Sequence, residues 1–217
     1  MEIIAINGSP RKNWNTVAMC EKFLEGAASV AEGVNTTLVN LYDLNYKGCI
    51  SCFGCKRKGS KNYGKCIVRD DLHDVLQKVS AADAVAFASP IYFGDITGQM
   101  RCFLERLLFP FNTYEAGYRT IAPKRMPVVM IYTMNVSEEG FTEYGYDQRL
   151  QNTESVIGRI LTPVQRLCAF NTYQFKNYDD YEAATFSEQA KAEHRRTQFP
   201  LDLQAAFDMG KEFIGNL

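Results

Sequence analysis

Three groups of residues in this sequence are of types that do chemistry together. The first is the run Asn7-Gly8-Ser9-Pro10-Arg11-Lys12-Asn13-Trp14-Asn15-Thr16, in which Ser9, Asn13, Asn15 and Thr16 carry hydroxyl or amide donors and Arg11 a guanidinium. At the entry to a helix such a loop aims backbone N–H groups and the positive end of the dipole at an anion. A single Arg11 suits one terminal phosphate. Gly8 stands alone and no Gly-Lys-Ser/Thr follows, which excludes the dinucleotide fingerprint and the nucleotide-triphosphate loop. The second group is Ser89-Pro90-Ile91-Tyr92-Phe93-Gly94-Asp95. Pro90, Ile91, Tyr92 and Phe93 offer surface on which a flat ring could stack, and Gly94 permits close backbone approach. The third is Cys49-x2-Cys52-x2-Cys55, with Cys66 further on. Four thiols in this pattern suit an iron–sulfur cluster, zinc, or plain reduced thiols. Plainer readings of the first two groups are a helix capped by Asn15 or Thr16 with Arg11 in solvent, and a hydrophobic lid over the core.

The elements that would position these groups alternate. Ile3 to Ile6 reads as a buried strand, Val17 to Glu32 as a helix with Cys20, Phe23, Leu24 and Ala27 on its core face, and Thr36 to Leu41 as a strand. Tyr42 to Ile67 is a polar excursion holding the four cysteines. Asp70 or Asp71 caps a helix running through Val79. Ala84 to Ala88 is a continuous apolar strand, and Ile96, Met100, Phe103, Leu104, Leu107 and Leu108 form one helical stripe, with Cys102 off it. Phe109 to Arg125 is irregular and aromatic, Val128 to Thr133 a strand, and Met134 to Tyr146 a loop punctuated by Gly140 and Gly145. A helix over Thr153–Arg166 and a strand over Ala169–Phe175 are expected next. After the charged stretch Glu182–Arg196 comes a last helix with Leu203, Phe207, Gly210, Phe213, Ile214 and Leu217 on one face. His73 and His194 are expected at the surface. Phe109, Phe111, Tyr114 and Tyr118 read either as a pocket wall or as a dimer interface.

Five strands alternating with helices imply an α/β fold: a three-layer, doubly wound five-stranded parallel sheet forming a single domain over 1–217. Ligands in such sheets sit beyond the carboxyl ends of the strands, where strand order reverses. That edge would collect the loops after the first, third and fourth strands.

Composition narrows the function. The 217 residues are 46% hydrophobic with a formal charge of -1, which disfavours a nucleic-acid binder working by phosphate neutralisation. No stretch approaches a membrane span, and the chain enters a strand without a signal-peptide core. A cytoplasmic protein with no nucleic-acid or membrane partner is expected. Seven cysteines are many for that compartment and invite a redox or metal explanation.

Taken together these motifs resemble the NAD(P)H-dependent FMN reductases and iron–sulfur flavoproteins. The resemblance adds Gly98-Gln99-Met100, Gly48-Cys49-Ile50-Ser51-Cys52-Phe53-Gly54-Cys55, and Gly64-Lys65-Cys66 ahead of Asp70-Asp71, and it thins beyond about residue 135. It implies a flavodoxin-like strand order 2-1-3-4-5. It implies FMN, with the phosphate held by Ser9, Arg11, Asn13, Asn15 and Thr16 and the ring by Pro90, Ile91, Tyr92, Phe93 and Gly94, with Thr133 and Asn135 at the ring's other edge. NAD(P)H would be the co-substrate, and a flavin, a quinone or a redox protein the electron acceptor. No separate catalytic acid or base is needed, because the flavin carries the chemistry. A homodimer or homotetramer is expected. Cys49, Cys52, Cys55 and Cys66 would ligate a [4Fe–4S] cluster, although Lys56 to Lys65 lengthen the gap usual in that family. Such an insertion costs little, since doubling a loop costs only about 0.6 kcal/mol. The alternative reading is an iron–sulfur flavoprotein or flavodoxin-type electron carrier without NAD(P)H activity of its own.

Overall fold

A computed structural model describes residues 1–215. Its centre is a sheet whose strands are β1 (Glu2–Asn7), β2 (Asn35–Asn40), β3 (Ala84–Tyr92), β4 (Asp95–Ile96), β5 (Val128–Thr133) and β6 (Val164–Ala169). The five long strands are parallel in the order β2-β1-β3-β5-β6, and β4 returns antiparallel against the end of β3. With β4 set aside this is the expected 2-1-3-4-5 order. β1 and β3 are adjacent, so the order reverses between β1 and β3.

The helices are α1 (Asn15–Ala28), α2 (Leu72–Ala81), α3 (Gly98–Phe111), α4 (Glu138–Glu143), α5 (Tyr146–Ile160), α6 (Glu188–Thr197) and α7 (Phe199–Gly215). Alternate side chains of each central strand feed two separate cores. Ile3, Ala5, Ala84, Ala86, Ala88, Val129 and Ile131 pack with α1 and α7. Ile4, Ile6, Val85, Phe87, Val128, Met130 and Tyr132 pack with α2, α3 and α5. Both faces are therefore apolar, which is why these strands read as continuous hydrophobic runs.

The alanines of β3 let α1 and α7 lie close to the sheet, and two glycines let them lie close to each other. A Cβ on Gly26 would stand 1.9 Å from the Phe207 carbonyl oxygen, and one on Gly210 would stand 2.0 Å from that of Phe23.

Several expectations change in the second half of the chain. Helix α5 spans Tyr146–Ile160 rather than Thr153–Arg166, and β6 spans Val164–Ala169 rather than Ala169–Phe175. Pro163 begins the turn into the strand, and Arg166 lies within β6, where it grips Glu154 of α5 at 2.7 and 2.8 Å. Glu154 neutralises the charge, so this edge strand carries Arg166 without an apolar run. Gly140 lies inside α4, whereas Gly145 (φ 68°) does break the chain before α5. The charged stretch contains α6, opened by Ser187 accepting a hydrogen bond from Ala190 N at 3.2 Å. On α7, Phe213, Ile214 and Gly210 are buried but Leu203 and Phe207 only partly, and Leu217 lies outside the described residues. His73 is buried and His194 half-buried, so neither is a plain surface residue. Cys20 is fully buried, and burial pushes its thiol pKa up, as an inert core residue requires.

Candidate functional site

The loop after β1 is tied down from both sides. Ser9 N donates to Asn7 Oδ1 at 3.0 Å, Arg11 N donates to Ser9 Oγ at 3.1 Å, and Gly8 N donates to the Ala88 carbonyl of β3 at 2.8 Å. These bonds curl the chain into α1. Trp14 occupies the N-cap without a side-chain cap bond, and no acidic residue lies in the first turn. The first N–H groups of a helix have no intrahelical acceptor. Here they open toward the loop with neither a cap nor a carboxylate to satisfy them, an arrangement that suits an anion.

Around this turn Ser9, Asn15 and Thr16 are buried, while Arg11 and Asn13 are exposed. Arg11 and Asn13 line a cavity of about 440 Å³ whose opposite wall includes Gln174, Phe175 and Tyr181. That wall was not visible in the sequence. The segment after β6 folds across the loop: the Tyr173 carbonyl accepts from Trp14 Nε1 at 3.0 Å and from Asn15 Nδ2 at 2.9 Å, and the Gln174 carbonyl accepts from Arg11. The Arg11 guanidinium also sits 5.4 Å from the Trp14 ring centroid. Asn15 Oδ1 accepts from Arg195 of α6. The Asn15 side chain thus fastens the loop to the C-terminal segment, with both polar atoms committed there.

The loop after β3 is a hairpin. Tyr92 pairs with Asp95 and Ile91 with Ile96, and the two residues between, Phe93 (φ 54°) and Gly94 (φ 79°), both have positive φ. That is the signature of a type I′ turn. Asp95 holds Arg101 through two bonds of 2.8 Å, and Arg149 Nη1 donates to the Phe93 carbonyl at 3.3 Å. The hairpin is bolted to the first loop through Thr97, which donates to the Gly8 carbonyl at 2.8 Å and caps α3 by accepting from Met100 N.

The hairpin's apolar side chains face different spaces. Ile91 lines a cavity of about 480 Å³ shared with Asn135, Ser137, Tyr146, Asn171 and Phe186. Phe93 is fully exposed and borders a larger cavity of about 840 Å³ between α3 and α5, where Phe109 also lies. Phe111 belongs to the core instead, and Tyr114 and Tyr118 are exposed. The structure therefore divides the four aromatics rather than assembling one wall.

The loop after β5 completes the edge. Thr133 Oγ1 meets Thr16 Oγ1 at 2.7 Å, joining the first and third loops. Among the described residues Asn135 Oδ1 is buried without a partner. Beside it Lys191 of α6, 3% exposed, donates to Asn171 Oδ1 at 2.8 Å and to the Asn135 carbonyl at 3.3 Å. Burial lowers the Lys191 pKa to about 8. Its charged surroundings in sequence gave no sign of this burial.

The four cysteines come together around a small cavity that Cys49, Cys52, Cys55 and Cys66 all line. Ser51 (φ 51°) and Phe53 (φ 54°) take left-handed conformations that wrap the chain around it, and Gly64 N donates to the Cys55 carbonyl at 2.9 Å, bringing Cys66 back across the insertion. Buried Arg106, paired with Asp70 at 2.7 Å, donates to Cys66 Sγ at 3.2 Å. Lys56 donates to the carbonyls at the end of α3, and burial lowers its pKa while the neighbouring cysteines act against that. Burial likewise raises the Cys55 pKa. Among the described residues no three side chains approach as one metal ion requires.

A family model described as NADPH-dependent FMN reductase matches residues 1–140. Among curated proteins the chain is 35% identical to an iron–sulfur flavoprotein of Methanocaldococcus jannaschii over 49% of this chain and 51% of that protein. It is 32% identical to one of Archaeoglobus fulgidus over 57% of each. The chain thus spans about half the length of the curated relatives it matches. Among solved structures it resembles an NAD(P)H:quinone oxidoreductase from Methanothermobacter marburgensis, with a TM-score of 0.71, 16% identity, and coverage of 97% of this chain and 98% of that one. An azoreductase from Bacillus anthracis gives a TM-score of 0.69 at 12% identity, covering 98% and 99%. At such identities these structures show the shared fold.

Proposed function

The chain belongs to the NADPH-dependent FMN reductase family, and on that premise we propose that it is an FMN-dependent oxidoreductase that takes hydride from NAD(P)H and passes electrons to a small-molecule acceptor such as a flavin or quinone, or to a redox protein. The observation that carries this reading is the convergence of three loops at the carboxyl edge of the sheet, beside the β1/β3 reversal, around an uncapped α1 N-terminus. Ser9, Thr16 and the first N–H groups of α1 hold the phosphate, with Arg11 and Asn13 from the cavity rim. Asn15 acts by anchoring the loop to Tyr173 and Arg195. Pro90 to Gly94 and Asn135 hold the ring, the unpartnered Asn135 Oδ1 being an acceptor for a polar edge. Bound FMN supplies the two-electron chemistry. Lys191 keeps a buried positive charge against the Asn135 loop, and Phe93 offers an exposed ring at the site's margin.

Arg11→Ala combined with Thr16→Ala removes a charge-assisted contact and a hydroxyl. Charge-assisted hydrogen bonds contribute roughly 1.5–3 kcal/mol, so FMN binding followed by flavin fluorescence should weaken by about tenfold or more. Unchanged affinity would overturn the phosphate assignment.

The four-cysteine cavity favours a second reading, an iron–sulfur flavoprotein. What supports this reading is placement: four thiols line one space, and the positive charges of Arg106, bonded to Cys66, and Lys56, near Cys55 and Cys49, would offset a thiolate-ligated centre. Cys49, Cys52, Cys55 and Cys66 would hold the group, which would supply one-electron transfer. Protein purified without oxygen and reconstituted should contain iron and acid-labile sulfide in equal amounts, and Cys66→Ser should lower both. Iron near zero with FMN still bound would leave a simple flavin reductase.

A further inference from the structure

The segment from Lys56 to Arg69 holds six lysines and arginines and no acidic residue, in a chain whose formal charge is only -1. Three of them, Lys61, Lys65 and Arg69, are exposed, make no salt bridge among the described residues, and rim a cavity of about 380 Å³. The floor is apolar: Leu76 of α2, Leu107 and Phe111 at the end of α3, and Pro123. No acidic side chain lines it, and Arg106 in its wall is already neutralised by Asp70. Small-molecule sites typically have volumes of about 300–1,000 Å³, with mostly apolar walls and a few polar groups that fix orientation.

His73 supplies a reporter for the cavity. It is 9% exposed and lines the cavity. Its Nε2 lies 2.6 Å from Arg69 Nη1 and 2.7 Å from Gln77 Nε2, so the ring is tied to the cavity's basic rim. Its Nδ1 is buried and has no partner among the described residues.

We propose that this cavity binds a small organic anion, a carboxylate or sulfonate carried on a compact apolar body. The apolar part rests on Leu76, Leu107 and Phe111, and the charged head meets Lys61, Lys65 and Arg69. The cavity adjoins the C-terminal ends of α2 and α3, at the edge of the sheet opposite the three loops. Cys66 and Arg106 are common to its wall and to the four-cysteine cavity, so an occupant lies directly beside the thiols.

Naphthalene-2-sulfonate is a suitable probe, titrated calorimetrically into protein saturated with FMN so that the flavin loops are filled. The chain has only two histidines, so their ring proton resonances report the location. Saturable one-to-one binding is expected, with the His73 signals shifting and those of His194, which is bonded to the Phe170 carbonyl, unmoved. Arg69→Gln with Lys65→Gln should weaken binding at least tenfold without lowering the melting temperature, and the neutral naphthalene-2-sulfonamide should bind the parent protein at least tenfold more weakly. The proposal is overturned by absence of saturable binding, by movement of His194 in place of His73, or by an affinity that neither the double substitution nor the loss of ligand charge reduces.

Discussion

Phe93 stands at the tip of the β3–β4 hairpin with φ of 54° and its side chain fully exposed. Left-handed backbone costs a residue with a Cβ about 1–2 kcal/mol, and an exposed ring recovers none of that through burial. Stability alone would place asparagine before Gly94, as type I′ turns prefer. Phe93→Asn should therefore raise the unfolding free energy by about 1 kcal/mol in denaturant titration while lowering turnover with NAD(P)H. A stabilised variant with unchanged turnover would remove Phe93 from the site. Residue types suggested which loops matter, but contacts decide what each member does. Thr16 and Thr133 were named for different parts of the ligand, yet their hydroxyls meet at 2.7 Å, because short side chains beside a strand end have few places to go. Asn15 was named as a ligand donor, yet its two polar atoms are committed to Tyr173 and Arg195, more than 150 residues away in sequence. Lys191 was hidden because a lysine amid Glu188, Glu193 and Arg195 reads as solvated.

At the scale of elements, the first half of the chain was legible because its strands are buried on both faces and its helices carry one clean stripe. Ile3 to Ile6 and Ala84 to Ala88 could be little else. β6 was misplaced since an edge strand needs no continuous apolar run, and Arg166, held by Glu154 of α5, disguised it. The same misplacement concealed the segment 170–181, whose carbonyls close the first loop through long-range bonds that no local pattern encodes. The α1–α7 contact was legible only as two separate amphipathic helices. Their approach depends on Gly26 and Gly210, where a Cβ would fall 1.9 and 2.0 Å from backbone oxygen of the other helix. Gly210→Ala should destabilise the fold by at least about 2 kcal/mol, since overpacking typically costs 1–3 kcal/mol and here the clash is with backbone. A melting temperature equal to that of the parent protein would mean that α7 can lift from α1 freely, contrary to the packing described.

For the whole molecule, the parallel sheet and its strand reversal place the first, third and fifth strands' loops at one edge, and the basic insertion with its cavity at another. No helix among the described residues is long and apolar enough to cross a membrane. The near-neutral charge sets the chain apart from strongly acidic carriers that dock by charge, which favours reduction by a diffusing nicotinamide over one-electron shuttling alone. The acceptor depends on surfaces whose partners composition does not specify. The most direct measurement is anaerobic titration of the FMN-loaded protein with NADPH and, separately, with NADH, following the oxidised flavin band. The account predicts stoichiometric bleaching by at least one of the two, reversed on adding a quinone. A band that survives both nucleotides but disappears with dithionite would contradict it and leave an electron carrier.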